Sequence, residues 1–315
     1  MRLAFFGTPD FAVPTLRRLL DLDHEVACVV SQPDRPKGRG RAVHPSPVSA
    51  LALDAGLPLL RPARVAEPQV LDALRETRPE LGIVVAFGQF LTKRVRELPA
   101  RGYLINAHAS LLPAWRGAAP IARAILAGET RTGISVMRVE REMDAGPVAL
   151  VRSLDIGPDE TCGELTGRLA GLAADAIEAA LVEIAAERVT WTEQDHDAAT
   201  LAPKITREDT HLDFREPAVR LRDRVRAMAP SPGARTRWRD ETLLVLAAAV
   251  VAGSPDRPPG TVRAAPGEPL RIATGEGWLE PRTLQRAGGK PLPVDAFLRG
   301  RPIADGDVLG GDPRG

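Results

Sequence analysis

Two cysteines in 315 residues, Cys28 and Cys162, give neither a disulfide framework nor the spacing of a thiolate metal site. Long apolar runs are missing as well. The longest, Leu243 to Ala252, falls far short of the roughly 20 residues a membrane-spanning helix needs, so no membrane contact is expected. The chain also has no G-x-G-x-x-G. Gly7 follows the first strand-like run alone, and Gly38 and Gly40 lie in a charged loop, so a dinucleotide site is excluded. Gly288–Gly289–Lys290 has neither the earlier glycine nor the hydroxyl residue of a P-loop. The N-terminal LAFFG is strand-like and has no secretory pattern. The expectation is a reduced, cytoplasmic protein, working as a monomer without a resident nucleotide.

Net charge is close to balance, at +1, but the balance hides a local excess. Between Arg215 and Arg239 stand eight arginines against two acids, Glu216 and Asp223, a surplus of six that suits an anionic partner. A second basic segment covers 31–48, where Arg35, Lys37, Arg39 and Arg41 sit between prolines at 33, 36, 45 and 47.

The first half alternates apolar runs with amphipathic stretches. Strands are expected at 3–6, 25–30, 81–87, 103–108, 132–139 and 148–152, and helices at 11–20 and 121–127. This alternation predicts an α/β domain built on a parallel, Rossmann-like sheet. Thr161 and Glu164 form a T-x-x-E capping box, and Leu165, Leu169, Leu172, Ala176, Ala180 and Ile184 follow as one helical stripe. From 191 to 203 the period is lost, as in a linker. Pro217 then opens a helix to Met228 with Leu221, Val225 and Met228 on one face. Short runs at 242–246, 260–262, 270–274 and 278–281, separated by Gly and Pro, suit a small antiparallel barrel. The Gly-rich tail after Asp305 reads as frayed. The expected division is a catalytic domain at 1–188, a linker at 189–206 and a β-barrel domain at 207–315.

The chemistry concentrates in LINAHASLLPAWRGAAP at 104–120 and in REMDAG at 141–146. On a strand the period of two puts Asn106 and His108 on one face, and a Pro/Trp/Arg/Gly loop follows them. An amide donor, an imidazole that titrates near neutrality and a carboxylate, Asp144, to orient it make up an acyl-transfer site. Metal binding by His108 and Asp144 is the competing use, but no third ligand has suitable spacing.

N-A-H-A-S-L-L-P-x-W-R-G-A-A-P with D-A-G downstream resembles the folate-dependent formyltransferases. FFGTPDFAVPTL at 5–16 and SQPDRPKGRGRAVHPSPV at 31–48 narrow the resemblance to the branch whose acceptor is initiator methionyl-tRNA. It runs in order from about residue 2 to about residue 300. It implies formyl transfer from 10-formyltetrahydrofolate without a metal, with Asn106, His108 and Asp144 catalytic. Asn106 would donate to the oxyanion. His108 would take the amine's proton or, protonated, support the oxyanion, and Asp144 would hold the ring. Phe87 and Gly88 would wall the pterin pocket, with Ser110, Leu111, Leu112 and Pro113 on the folate side. The resemblance implies an oligonucleotide-binding-like barrel in the second domain. tRNA would meet Arg35, Lys37, Arg39 and Arg41 in the basic loop, Arg39 and Arg41 foremost, and Arg222 and Arg226 in the second domain. The family's Asn-Pro-Trp-Pro-Gly is Ala-Pro-Ser-Pro-Gly at 229–233, which removes a stacking contact near Ser231. A small amine such as an amino-sugar nucleotide is the alternative acceptor.

Overall fold

A computed structural model describes residues 1–37, 42–265 and 267–310. They form two units. The first gathers Met1–Pro120, Arg131–Leu154 and Thr166–Ala202, and the second gathers Ile121–Thr130, Asp155–Leu165 and Pro203–Gly315. This division departs from the sequence expectation. Residues 189–202 belong to the first unit instead of linking two domains. Thr192 and Val148 exchange two backbone hydrogen bonds of 2.8 and 2.9 Å, and Leu201–Ala202 pairs in parallel with Arg116–Gly117. Pairings this short leave no periodicity to read. The helix Pro120–Leu126 falls mostly in the second unit, where Arg123 grips both Asp209 oxygens at 2.7 Å.

The first unit carries a seven-stranded sheet in the order Val148–Asp155, Arg131–Arg138, Leu104–His108, Leu81–Val85, Arg2–Gly7, Glu25–Val30 and Leu59–Leu60. Leu3, Phe5, Leu81, Ile83, Leu104 and Ile105 are fully buried, as unbroken apolar strands should be. The strands from Leu59–Leu60 to Leu104–His108 pair in parallel. Arg131–Arg138 runs antiparallel to Leu104–His108, with Asn106 opposite Met137 and His108 opposite Ser135, so the sheet is mixed. Alternating runs reveal strands but not their direction, and here the intervening helix belongs to the second unit rather than serving as a crossover of this sheet.

The long helix Cys162–Ala185 starts at the expected box. Thr161 N donates to Glu164 Oε2 at 2.9 Å, and Glu164 N donates back to Thr161 Oγ1 at 3.3 Å. Leu165, Leu169, Ala176, Ala180 and Ile184 are buried along it, whereas Leu172 is only half-buried. Helices Pro47–Asp54 and Pro68–Glu76, which the sequence reading passed over, each begin on a proline.

In the second unit the helix Ala218–Met228 buries Leu221, Val225 and Met228. Its antiparallel sheet runs Ala234–Trp238, Glu241–Val251, Trp278–Arg286, Arg271–Ala273, Val262–Arg263, with Leu292–Pro293 also paired to Trp278–Arg286. Bridges from Trp238 to Leu309 and from Thr261 to Val308 tie both ends of this path to one tail segment, which closes the barrel. Residues 308–310 are therefore paired, with Gly310 N–H donating to Arg237 O at 3.0 Å, and 311–315 lie outside the described residues. Glycine content suggested fraying, but backbone pairing with two edge strands depends on no side chain. Among the described residues no helix is long and apolar enough to cross a membrane.

Candidate active site

The Leu104–His108 strand delivers the pair on which the sequence reading turned. Asn106 is half-buried, and its side chain makes no hydrogen bond among the described residues. His108, at 6% exposure, closes the strand. Its Nδ1 lies 3.5 Å from Asp144 Oδ2, so the imidazole and carboxylate meet across 36 residues of sequence. Its Nε2 lies 2.9 Å from the backbone oxygen of Trp115. A carbonyl can only accept, so Nε2 carries a proton in this arrangement.

Both groups that hold the ring sit on left-handed backbone, with φ of 62° at Trp115 and 53° at Asp144. Such a conformation costs a non-glycine residue about 1–2 kcal/mol and persists only where neighbours impose it. The neighbours are identifiable. Trp115 N donates to Thr200 Oγ1 at 2.9 Å, and Gly117 N donates to Asp144 Oδ2 at 2.9 Å. Gln194, 8% exposed, donates through Nε2 to the backbone oxygens of Asp144 at 2.8 Å and Gly146 at 2.7 Å. Its own Oε1 accepts from Arg116 Nε at 3.1 Å and Nη2 at 2.8 Å. Arg116 is 5% exposed and also reaches His196 Nδ1 at 3.3 Å, so it locks this corner from within. Gln194 is the functional residue that sequence reasoning missed. A glutamine in an aperiodic segment carries no local signal.

An imidazole in contact with a carboxylate, with an amide two residues away on the same strand and a loop held under backbone strain, can stabilise a developing oxyanion and move one proton. Among the described residues no cluster of three or more His, Cys, Asp or Glu side chains could hold a metal. Cys28 offers no nucleophile, since burial pushes its thiol up to about 12.

The family model described as formyl transferase matches residues 1–181, and that of the formyl transferase C-terminal domain matches 204–302. The methionyl-tRNA formyltransferase of Halorhodospira halophila is 43% identical over 308 residues, covering 98% of this chain and 99% of its own. The chain belongs to the methionyl-tRNA formyltransferase family. Solved structures of like fold include WlaRD, a sugar 3N-formyl transferase, with a TM-score of 0.66 at 16% identity over 89% of this chain and 97% of its own. HypX from Aquifex aeolicus in complex with tetrahydrofolic acid aligns at a TM-score of 0.63 and 19% identity. That match covers 99% of this chain and 51% of HypX, so the chain spans about half of HypX and nearly all of its curated relative.

The remaining candidates fall out unevenly. Ser110 is fully buried and folds the loop, since its Oγ donates to Ala114 O at 2.6 Å and its carbonyl accepts from Ser135 Oγ at 2.8 Å. Leu111, Leu112 and Pro113 are half-buried beside it. Phe87 packs edge-on against Phe6 at 5.6 Å, and its carbonyl already accepts from Thr8 Oγ1 at 3.0 Å and Gln32 Nε2 at 3.2 Å. Phe87 is thus a core residue, and Gly88, exposed at φ 81°, is the open backbone of that corner.

The basic loop has a fold of its own. Arg35–Lys37 pairs antiparallel with Ala42–His44, which makes a ribbon with Arg35 exposed on it. Arg39 and Arg41 lie outside the described residues.

Arg222, half-buried, and Arg226, buried, share one buried carboxylate. Arg222 donates to Asp223 Oδ1 at 2.8 Å. Arg226, 7% exposed, donates to the same oxygen at 2.9 Å and to Gly157 O at 3.0 Å. Asp223 is itself 4% exposed, so this is an ion cluster that a net-charge count reads as free cations although one of its two positive charges is offset.

Proposed function

We propose that this chain transfers the formyl group of 10-formyltetrahydrofolate to the α-amino group of initiator methionyl-tRNA. The observation that carries this reading is the contact of His108 with Asp144, two residues along the strand from Asn106, in a chain that matches the methionyl-tRNA formyltransferases almost end to end. HypX, which shares the fold and binds tetrahydrofolic acid, supports a folate donor. An amide with no hydrogen-bond partner among the described residues, two residues from the His108 ring on one strand, suits a formyl oxygen.

When bound, the donor supplies a carbon to which the amine nitrogen bonds while the carbon's bond to the folate nitrogen breaks. Asn106 donates its N–H to the formyl oxygen as negative charge develops there, a contribution of about 2.7–4 kcal/mol. His108 takes the proton that the amine loses and returns one to the departing folate nitrogen. To accept at Nε2, the ring must carry its own proton on Nδ1, facing Asp144, and give up the Trp115 carbonyl. Asp144 therefore selects the reactive tautomer, and the 110–116 loop has to yield before proton transfer.

The test is formyl transfer from 10-formyltetrahydrofolate to initiator and elongator methionyl-tRNA in parallel, with His108→Ala alongside. Transfer to the initiator alone, reduced at least about a hundredfold in the variant with tRNA affinity kept, is the expected result. Transfer to an amino-sugar nucleotide but to neither tRNA would overturn the assignment.

A further inference from the structure

Arg138 ends the strand beside Leu104–His108, with its backbone in register with Ile105. Its guanidinium carbon lies 4.4 Å from the ring centroid of Tyr103 and 4.2 Å from that of Trp191. The two rings meet edge-on, 5.6 Å apart at 82°, so one cation rests on two aromatic rings. Two other arginines rest on single rings, Arg239 on Trp238 and Arg263 on Trp278. Each of those also has a carboxylate partner, Asp307 and Asp256 respectively. Among the described residues Arg138 has no ion-pair partner, and its Nε is buried without a hydrogen-bond acceptor. The rings are what compensates this charge, and a cation drawn out of water gains more from a ring than an exposed one.

Each member of the stack belongs to a different segment of the first unit. Tyr103 immediately precedes the Leu104–His108 strand, Arg138 leads into the loop that carries Asp144, and Trp191 stands three residues before Gln194. Arg138 N closes the neck of that loop by donating to Pro147 O at 3.0 Å. The neck is tight, since a Cβ on Gly146 would lie 2.1 Å from Arg138 O. Gln194 holds the same loop through the carbonyls of Asp144 and Gly146. Ahead of Gln194, its own segment is tied by the Thr192–Val148 bridge and by the Trp191 ring on Arg138. The stack thus joins the start of the Asp144 loop to the segment that supplies the glutamine.

We propose that the Tyr103–Arg138–Trp191 stack is a positioning device for formyl transfer. It sets the 191–194 segment so that Gln194 meets the Asp144 loop, and through Gln194 it keeps the carboxylate 3.5 Å from His108 Nδ1. Arg138 and Trp191 are positioning residues that act through this glutamine. The proposal rests on the formyl-transfer reading and adds what aligns its His108–Asp144 pair from a distance.

The experiment measures kcat, and KM for initiator methionyl-tRNA and 10-formyltetrahydrofolate, in the full chain, with a melting temperature for every variant. Arg138→Met keeps the stem and removes the cation, whereas Arg138→Lys keeps the cation. Misplacement on the ångström scale costs up to about a hundredfold in rate, so Arg138→Met is expected to lower kcat about tenfold with both KM values within about twofold. Arg138→Lys should stay within about threefold of wild type. Trp191→Leu removes one ring, should match Arg138→Met, and decides the question if that variant fails to fold. A cycle with Gln194→Glu separates positioning from general loss of structure. In that background Arg138→Met should lower kcat by less than about a further twofold, because the link it acts through is already cut. Losses that multiply in the double variant would overturn the proposal. So would a kcat within about twofold of wild type for Arg138→Met or Trp191→Leu, or a lysine variant as slow as the methionine one. Absence of formyl transfer by the wild-type chain would instead overturn the functional reading, and this proposal with it.

Discussion

Replacing Gln194 by leucine tests whether the buried Arg116–Gln194 pair holds the His108–Asp144 corner in place. The substitution keeps volume and removes four hydrogen bonds at once, two donated to the backbone of Asp144 and Gly146 and two accepted from Arg116. Bonds to a charged donor are worth about 1.5–3 kcal/mol each and neutral ones about 1 kcal/mol. The gross loss is therefore several kcal/mol, reduced because Arg116 keeps His196 at 3.3 Å and because water can enter. A net loss of about 3 kcal/mol in urea-unfolding free energy is expected. Without the Gln194 donor, Asp144 is also free to leave its left-handed conformation, which moves Oδ2 away from His108. Misplacement on the ångström scale costs about a hundredfold in rate, so kcat should fall between about tenfold and a hundredfold with KM for tRNA unchanged. Gln194→Glu separates the two effects. Its carboxylate still accepts from Arg116, so less stability should be lost than with leucine, but it faces two carbonyl oxygens with no proton to offer, so turnover should still fall. A leucine variant with wild-type stability and a kcat within about twofold of normal would refute this account of the corner.

Three further outcomes follow from named contacts. Asn106→Ala removes an amide that has no hydrogen-bond partner among the described residues and should lower kcat by about a hundredfold to a thousandfold in single-turnover formyl transfer; a tenfold or smaller change would remove Asn106 from the proposed oxyanion stabilisation. Arg226→Ala strips a buried partner from Asp223 and should cost about 3 kcal/mol in urea unfolding without altering tRNA affinity, whereas weaker binding with intact stability would restore it as a contact. The Arg215 guanidinium holds Asp213 down to about 2 from its ordinary 3.8, so this group's stabilisation is complete above the unfolded value and disappears as pH falls through the folded one. Asp213→Asn should therefore flatten the decline of the urea midpoint between pH 4 and 2, and an unchanged decline would exclude the pair.

Legibility in the sequence followed the range of the signal. The strands at 25–30 and 104–108, the capping box at Thr161 and Glu164, and the helix after Pro217 were all readable because periodicity and caps are local. The antiparallel direction of Arg131–Arg138 was not readable, since a run of apolar residues looks the same in either direction. The ordered tail escaped for a related reason. Val308 and Leu309 are held by backbone bridges to Trp238 and Thr261, and composition is blind to those. The extent of the first unit was misjudged where pairing runs for only two residues, at Leu201–Ala202.

The site shows the same limit at the scale of single side chains. Asn106 and His108 could be placed together because a strand's period of two is a property of adjacent residues, and Asp144 because its motif is short. What holds them is spread across the chain. Trp115 is fixed by Thr200, Asp144 by Gly117 and Gln194, and Gln194 by Arg116. None of these pairs has a spacing that a window of sequence would single out. The eight arginines at 215–239 make the complementary point, because a charge count cannot tell a neutralised cation from a free one. Arg226 lies three residues from Asp223 on a helix, which is ion-pair spacing. Arg235 and Arg237 lie two apart on a strand, where both must face the same way and no acid faces them in the adjacent register. Secondary-structure spacing, rather than charge density, therefore decides that Arg226 is ion-paired while, among the described residues, Arg235 and Arg237 are not.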